Sequence, residues 1–280
     1  MGWKEVVNSA LGGVSGYELT RRTAAGVPGR RRGDRQLKEP IILHSSVRSG
    51  STLLRVILNG HSRLYAPHEL HLSALKVEFA DRYVEEAMEE LGFNQRGLEN
   101  LLWDRVMARA LESSGKDYIV NKTPHNLFMW QRLSRIWPDA RYIFLLRHPA
   151  SIYDSWYRAR KKTWTSDEAV ESTLKYVEKL DEARSNLSGV TVKYEDLTAD
   201  PEREVRRICE YLGVEFEPDM LDYGSKDHGK IKAGLGDWSG KIKSGKLQEA
   251  RPLPDPDDVP KKLRDISIKW GYLEADAVTS

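Results

Sequence analysis

Short apolar runs alternate with longer periodic segments along most of the chain, and this pattern predicts an α/β protein. The apolar runs of buried strands occur at Pro40–Ser46, Tyr118–Asn121, Arg141–Leu146 and Val190–Tyr194. Helical spacing follows the first run over Thr52–Asn59. Strands that alternate with helices predict a three-layer fold in which helices flank a central parallel sheet. Ligands of such folds bind beyond the carboxyl ends of the strands.

The chain divides into an extension and one domain. Residues 1–39 contain a short amphipathic stretch and a connector rich in Gly, Pro and Arg. Arg30–Arg32 within it is interpreted as a solvated segment, with phosphate or membrane contact as the alternative. Residues 40–280 are predicted to form a single domain, since a chain of 280 residues can be one large α/β unit.

Two further regions have their own patterns. Residues 73–114 are charged and periodic, which predicts a pair of helices that breaks at Gly92 and lies over the sheet. Residues 223–254 are rich in glycine and lysine and are expected to form a loop. Residues 260–273 predict a final helix.

Composition limits the function without naming it. Lys plus Arg is 44 and Asp plus Glu is 42, so the net charge of +2 gives no general attraction to nucleic acid. Cys209 is the single cysteine, which excludes an intrachain disulfide and favours a reducing compartment. No apolar stretch reaches the ~18 residues of a membrane span, and residues 1–22 lack a secretory signal pattern, so a cytoplasmic location is expected.

The loop between the first predicted strand and helix has the residues of an anion site. Arg48-Ser49-Gly50-Ser51-Thr52 brings backbone N–H groups, hydroxyls and a helix N-terminus to one place. Gly50 allows the backbone to approach a ligand closely, and Arg48 adds a positive charge. The loop is shorter than the common Gly-x4-Gly-Lys-Ser/Thr loop that binds nucleoside triphosphates and lacks its lysine, which argues against ATP and GTP. A phosphate or sulfate ligand is expected, with a Ser/Gly helix cap as the alternative.

A second candidate anion site follows the third predicted strand. Arg147 closes that strand, and Ser155 lies about two helical turns further on. An arginine with a serine at this spacing suits a second phosphate group. The alternative is an arginine paired with a surface carboxylate and a serine on a polar helix face.

The two motifs together resemble those of sulfotransferases that use 3'-phosphoadenosine 5'-phosphosulfate (PAPS). In that family the first loop reads Arg/Lys-Ser-Gly-Thr/Ser-Thr, and the second motif is Arg, seven residues, Ser, as at Arg147 and Ser155 here. The resemblance spans about residues 40–250. It implies a P-loop-like strand–loop–helix of the sulfotransferase and nucleoside-kinase type. Ser49–Arg55 followed by Pro67–Leu72 looks most like bacterial members acting on natural products, including sulfotransferase domains of polyketide assembly lines.

The resemblance implies a ligand set. PAPS is the expected co-substrate and 3'-phosphoadenosine 5'-phosphate (PAP) the product, with no metal and a small-molecule hydroxyl acceptor. The implied donor contacts are Arg48, Ser49, Gly50, Ser51, Thr52, Arg147, Ser155, Tyr194 and Lys232. Lys232 comes from a partial match of Lys230–Trp238 to the late Arg-Lys-Gly-x-x-Gly-Asp-Trp motif of cytosolic members. A loop that covers the 3'-phosphate and a solvated linker are equal interpretations of that segment.

The resemblance also implies a catalytic set of Arg48, Glu69, Lys122 and His125. In the tyrosylprotein branch the base is a glutamate 21 residues after the loop arginine, which is the spacing of Glu69 from Arg48. The lysine of an Asn-Lys-x-Pro motif, here Lys122, stabilises the transferring sulfuryl group in that branch. Cytosolic members place a catalytic histidine beside the corresponding lysine, so His125 is the rival base. A helix cap is the alternative role for Glu69.

The histidines before the helical pair, His68 and His71, are further candidates for the acceptor site. Residues 65–115 and 156–170 are expected to shape that site. The aromatic residues Trp156, Tyr157 and Trp164 suggest an apolar wall, although core packing is the commoner role of each alone. Neither the acceptor nor the oligomeric state can be read from the sequence.

Two other functions fit parts of the sequence. A small-molecule or nucleotide kinase would share the loop-then-helix geometry, but it needs Mg²⁺ and a strand-end aspartate to hold the ion. None of the predicted strands ends in aspartate. A non-catalytic nucleotide-binding or scaffold protein would keep the donor pocket but would need neither Glu69 nor Lys122.

Overall fold

The computed structural model describes residues 35–222 and 252–275. The amphipathic stretch at residues 1–20, Arg30–Arg32 and the segment around Lys232 lie outside the described residues. Within the described part of the chain, no helix has both the length and the apolar character needed to cross a membrane.

A five-stranded parallel sheet forms the centre of the molecule, with the strand order β2-β3-β1-β4-β5. The strands are β1 (Ile41–Ser45), β2 (Leu64–Tyr65), β3 (Tyr118–Lys122), β4 (Arg141–Leu146) and β5 (Gly189–Lys193). The central strand β1 is buried along its whole length, as expected for a strand covered on both faces. The predicted parallel sheet and its four main strands are confirmed, whereas the short edge strand β2 was not predicted.

Nine α-helices connect and flank the strands in the described residues. They are α1 (Ser51–Asn59), α2 (Arg82–Glu90), α3 (Gln95–Ser114), α4 (Trp130–Ile136), α5 (Pro149–Arg160), α6 (Ser166–Asn186), α7 (Tyr194–Ala199), α8 (Pro201–Leu212) and α9 (Lys261–Lys269). The same described ranges contain four short 3₁₀ helices, at Leu72–Ala74, Pro124–Met129, Pro218–Met220 and Pro256–Asp258. The final helix predicted over residues 260–273 is therefore confirmed, with a shorter span.

The sheet separates two apolar cores, because successive side chains of a strand point to opposite faces. Ile41 and Leu43 of β1 pack with the apolar sides of α1 and α8. Ile42, on the other face, packs with residues of α3, α4, α6 and α9. The predicted three-layer arrangement is thus observed.

The prediction of a helical pair over residues 73–114 is wrong for residues 75–81. The side chains there alternate between half-buried and exposed, with Leu75, Val77 and Phe79 facing inward. A period of two belongs to an extended segment rather than a helix. The helical pair itself begins only at Arg82, and its break includes Gly92, which has a positive φ of 79°.

The register of the sheet determines which loops meet. Leu43 pairs with Lys122 on one side and with Ile143 on the other, so β1, β3 and β4 end at the same edge. The segments that follow these strands therefore emerge side by side. Every candidate site residue that follows a strand lies at this edge.

Candidate functional site

The loop after β1 is turned by two residues in the left-handed region. Arg48 has a φ of 62° and Gly50 a φ of 87°. The buried hydroxyl of Ser49 donates to the carbonyl of Ser46 at 2.7 Å, so this side chain stabilises the loop from inside. The helix α1 begins directly after Gly50, which offers no side chain to cap it. The first-turn N–H groups of a helix in this setting favour an anion.

Gly50 is required by a close neighbour as well as by its backbone angle. A Cβ added at this position would lie 2.3 Å from Cδ2 of Tyr194. Tyr194 was predicted as the last residue of a strand, but it begins α7 directly after β5. Its ring therefore lies across the loop, and only glycine fits beneath it.

Arg147 joins the end of β4 to the same loop. Its Nη1 donates to the carbonyl oxygen of Arg48 at 2.7 Å, and its guanidinium carbon lies 4.5 Å from the centroid of the Tyr194 ring. Ser155, on α5, accepts a hydrogen bond from Nε of Arg48 at 3.1 Å. The structure thus brings together the predicted donor contacts Arg48, Gly50, Arg147, Ser155 and Tyr194.

Glu69 and Lys122 meet beside this loop. Nζ of Lys122 lies 2.6 Å from Oε1 of Glu69, and the two side chains are 1% and 14% exposed. No helix is capped by Glu69, because the following 3₁₀ helix begins after His71 without a side-chain cap. Burial lowers the pKa of Lys122, and the Glu69 carboxylate partly counteracts this effect. The protonation of a buried lysine that is paired with a single carboxylate responds strongly when another anion comes close to it.

A third charged group, Arg55, was missed by the sequence analysis. Arg55 is 3% exposed on α1 and donates from Nη1 to the carbonyl of Ala66 at 2.8 Å. Burial lowers its pKa and the charge of Glu69 raises it, while its own charge lowers the pKa of Lys122. Two buried cations thus share one carboxylate, which leaves the cluster with positive charge in excess. An arginine in the middle of the apolar helix STLLRVILN was the available signal.

The candidate histidines differ in how close they come to Glu69. Nε2 of His71 lies 3.4 Å from Oε2 of Glu69, whereas His68 reaches only the Glu69 backbone carbonyl, at 3.2 Å from Nδ1. His125 is exposed in the 3₁₀ helix after β3, with its ring 5.1 Å from that of Phe128. The carboxylate is therefore flanked by Lys122 on one oxygen and by His71 on the other.

A cavity of about 680 Å³ lies next to Glu69 through His71, which lines the cavity and has its Nε2 3.4 Å from Oε2 of Glu69. His71 and His125 both line it, together with Phe128 and Trp103. The remaining lining residues are Ser73, Ala74, Lys76, Arg96, Met129, Gln131, Arg132 and Arg135. A cavity of this size matches the range of small-molecule sites.

An aromatic cluster continues from this cavity. Phe128 packs edge-on against Tyr176 at 4.8 Å, and Tyr176 packs against Trp156 at 5.6 Å between ring centroids. Trp164 lies 5.2 Å from Trp156. Burial raises the pKa of Tyr176, and the nearby Glu69 charge adds to this. The predicted aromatic residues Trp156 and Trp164 thus connect to the carboxylate through Tyr176, whereas Tyr157 packs on Tyr153 at 5.9 Å.

A polar network behind Arg147 was also missed. The hydroxyl of Tyr272 donates to Oε2 of Glu195 at 2.7 Å, and the backbone N–H of His148 donates to Oε1 of the same carboxylate at 3.1 Å. Burial raises the pKa of Tyr272, so its hydroxyl stays protonated and donates. This network fixes the residue that follows Arg147 to the segment after α9.

Comparison with known proteins identifies sequence relatives of this chain. The model of the sulfotransferase family matches residues 40–218. Protein-tyrosine sulfotransferase 2 of Gallus gallus is 25% identical over 205 residues, which is 66% of this chain and 54% of the relative. The omega-hydroxy-beta-dihydromenaquinone-9 sulfotransferase of Mycobacterium bovis is 26% identical over 153 residues, 47% of this chain and 39% of the relative. The chain spans about half the length of these curated relatives or less.

Two solved structures have the same fold over most of the chain. The sulfotransferase domain from the curacin biosynthetic pathway has a TM-score of 0.59 at 24% identity, covering 85% of this chain and 99% of that domain. The sulfotransferase domain of the Synechococcus PCC 7002 olefin synthase has a TM-score of 0.58 at 22% identity, covering 87% and 99%. The family match covers more than half of the chain, and it includes the loop after β1, Glu69, Lys122, Arg147 and Ser155. The chain belongs to the sulfotransferase family.

Proposed function

We propose that the chain transfers a sulfuryl group from PAPS to a hydroxyl of a small-molecule acceptor. The observation that carries this proposal is the Glu69–Lys122 pair, with 2.6 Å between Nζ and Oε1, at the sheet edge that holds the anion loop. A protein that only binds a nucleotide needs no carboxylate there. The proposal includes a bacterial natural-product acceptor, which the sequence resemblance supports, and a cytoplasmic location, which the single cysteine favours.

The residues at the sheet edge suit a donor with two anionic ends. Gly50 lets the Tyr194 ring lie directly on the loop, and the first-turn N–H groups of α1 follow Gly50 and favour an anion. Arg48 lies at the loop itself, and Arg147 and Ser155 place further polar groups beside it. Ser51 and Thr52 at the start of α1 are proposed to contact the phosphosulfate end, and Lys232 to contact the 3'-phosphate. When bound, the donor supplies the sulfuryl group and leaves as PAP.

Glu69 is proposed as the general base. Its carboxylate accepts the proton of the acceptor hydroxyl as that oxygen becomes the nucleophile. Lys122 and Arg48 provide positive charge for the transferring group and the departing phosphate. Because Lys122 is buried, its ammonium group interacts with a nearby anion in a low-dielectric setting and stabilises that anion more strongly than an exposed lysine would.

The geometry favours Glu69 over the histidines as the base. Only Glu69 contacts Lys122 directly among these candidates, and His71 lies against its second oxygen. His71 is therefore proposed to orient the carboxylate or the acceptor, and His125 to line the acceptor cavity. The replacement of Glu69 alone should accordingly remove the proton acceptor.

The test is transfer of ³⁵S from labelled PAPS to a panel of small alcohols and phenols in the presence of EDTA. We expect labelled sulfate esters and stoichiometric PAP, with the same rate at all EDTA concentrations. Loss of activity in EDTA, together with phosphate transfer from ATP, would instead establish a metal-dependent kinase. Tight binding of PAP without transfer to any acceptor would establish a non-catalytic binding protein.

A further inference from the structure

The cavity beside Glu69 is strongly cationic. Its lining contains Lys76, Arg96, Arg132 and Arg135, and no lining side chain is acidic. A neutral or apolar acceptor gains nothing from four positive charges in its site. The charge of this cavity therefore carries information about the acceptor.

One buried carboxylate neutralises part of this charge. Glu99 on α3 pairs with Nη2 of Arg132 at 2.9 Å and with Nζ of Lys76 at 3.7 Å. Arg132 also lies 3.9 Å from the ring centroid of Trp103, so its guanidinium is fixed in place. Within residues 35–222 and 252–275, no carboxylate lies within ion-pair distance of Arg96 or Arg135. The cavity therefore keeps a positive excess.

The position of Arg96 is not explained by helix stability. It is the second residue of α3, where the helix dipole disfavours a positive charge. Its neighbour Gln95 bonds from Nε2 to the carbonyl of Val77 at 2.5 Å, which holds this end of the helix against the extended segment that carries Lys76. The start of α3 is thus held at the cavity, and the Arg96 side chain forms part of the cavity lining.

We infer that the acceptor carries an anionic group, such as a carboxylate or phosphate, that binds to Arg96 and Arg135 while its hydroxyl reaches Glu69. This inference rests on the proposed function and names the substrate class of the same site. His71 connects the two ends, since it lines the cavity and lies 3.4 Å from Glu69. The cavity volume of about 680 Å³ fits a small hydroxy acid with room for its chain.

The test compares matched pairs of acceptors, namely aliphatic ω-hydroxy acids and hydroxyphenyl acids of several lengths, each as the free carboxylate and as the methyl ester. We expect at least one carboxylate to exceed its ester in kcat/KM by about tenfold. That advantage should shrink at high salt, because the contact is partly exposed and screened. The ester rates should change little with salt.

The variant R96Q/R135Q should bring the ratio of acid to ester close to one. R109Q serves as the matched control, because Arg109 is on the same helix, is exposed and does not line the cavity. Its ratio should stay at the wild-type value. PAP binding is measured in all variants, so that a change in the donor site is recognised.

Three outcomes would overturn the inference. Equal use of acids and esters, use of neutral or amine-bearing alcohols in preference, or absence of any sulfated acid would show that the charge does not select the acceptor. A preference for acidic tyrosine peptides over every small acid would replace the small-molecule assignment. In each case continued PAP binding and sulfation of another acceptor would leave the proposed function standing, whereas failure to bind PAP would overturn that function.

Discussion

The proposed donor side and the proposed acceptor side of this site are built in different ways. The donor side consists of the loop after β1, the end of β4 and the start of α7, and its members touch through Arg48, Arg147 and Tyr194. The proposed acceptor side consists of residues 66–114, which leave the sheet in an extended segment and the helices α2 and α3, and of residues 123–135, which follow β3. No residue of α2 is buried, and Tyr83 on it is 76% exposed.

This difference predicts where substitutions will be tolerated. Groups at the ends of parallel strands are positioned by the sheet itself, so the donor side is over-determined by backbone contacts. The acceptor side lies on connecting segments, which vary more readily and carry specificity. We therefore expect substitutions on the donor side to abolish function and those on the acceptor side to redirect it.

The largest effect is expected at Lys122, which lies between the two sides. Lys122→Ala should reduce turnover by about a thousandfold, because it removes positive charge from the transferring group. PAP should still bind, since the loop and Arg147 remain. Steady-state kinetics and calorimetric titration of PAP check this.

Lys262→Ala is the control for loss of a lysine, because Lys262 is exposed and pairs only with the exposed Glu171 among the described residues. Full turnover in Lys122→Ala would remove that lysine from the mechanism. A thermal melt of both variants shows whether either has unfolded.

A donor-side change without any loss of charge should also be severe. Gly50→Ala places a Cβ 2.3 Å from the Tyr194 ring, so we expect PAP affinity to fall by about a hundredfold or more. Gly92→Ala is the matched control, because Gly92 has a similar φ of 79° but no atom within 4 Å of the added Cβ. The control should cost only about 1 kcal/mol of stability and no PAP affinity.

If both alanine variants bound PAP equally well, the close approach of Tyr194 to the loop would be irrelevant to the donor. Comparing the two variants thus separates the cost of an alanine at a positive φ from the effect of the Tyr194 contact on PAP binding.

The same contrast explains what the sequence could and could not predict. Apolar runs predicted β1, β3, β4 and β5, because buried parallel strands are continuous and apolar. The two-residue strand β2 is too short to produce such a pattern. The extended segment 75–81 was misjudged because charged residues conceal an alternation of inward Leu75, Val77 and Phe79.

The site residues, like the strands, could be predicted where their positions depend on local sequence patterns. The positions of Arg147 and Ser155 relative to the loop follow from strand ends and helix spacing, which are local. The meeting of Glu69 with Lys122 depends on how a long connection returns to the sheet, and only the resemblance indicated it. Tyr272 acts through tertiary contacts that no spacing in the sequence encodes, whereas Arg55 is indicated only by being a charged residue within the apolar helix α1.

The free energy of unfolding is expected to fall in acid because of His44, which lies on β1. His44 on β1 is 1% exposed between Tyr142 and Phe144, and burial lowers its pKa to about 3. The unfolded chain protonates a histidine near pH 6.5, so stability present above that pH is lost as the pH falls toward 3. At pH 5 this loss is about 2 kcal/mol from one group.

His44→Leu should therefore lower the difference in unfolding free energy between pH 7 and pH 5 by that amount. Urea denaturation at both pH values measures the difference, and it cancels any constant packing cost of leucine. An unchanged pH dependence in the variant would show that His44 does not carry this acid sensitivity.

The smallest predicted effect concerns the hydrogen bonds from Tyr272 and His148 to Glu195, next to Arg147. Tyr272→Phe removes the hydrogen bond to Glu195, which holds the backbone of His148, so KM for PAPS should rise about fivefold. The KM for the acceptor should stay constant, because this network lies on the donor side only. Tyr83→Phe, on the exposed α2, should change neither constant; a rise in both KM values in Tyr272→Phe would contradict the assignment to the donor side.

The central claim is that a half-buried carboxylate at the junction of the two sides performs proton transfer during sulfuryl transfer. It is tested most directly by measuring PAP affinity and the single-turnover rate from PAPS in Glu69→Gln. We predict PAP affinity within about threefold of wild type, since Glu69 contacts Lys122 and not the loop, and a transfer rate lower by about a thousandfold. A Glu69→Gln variant that transfers sulfate at the wild-type rate would contradict the account.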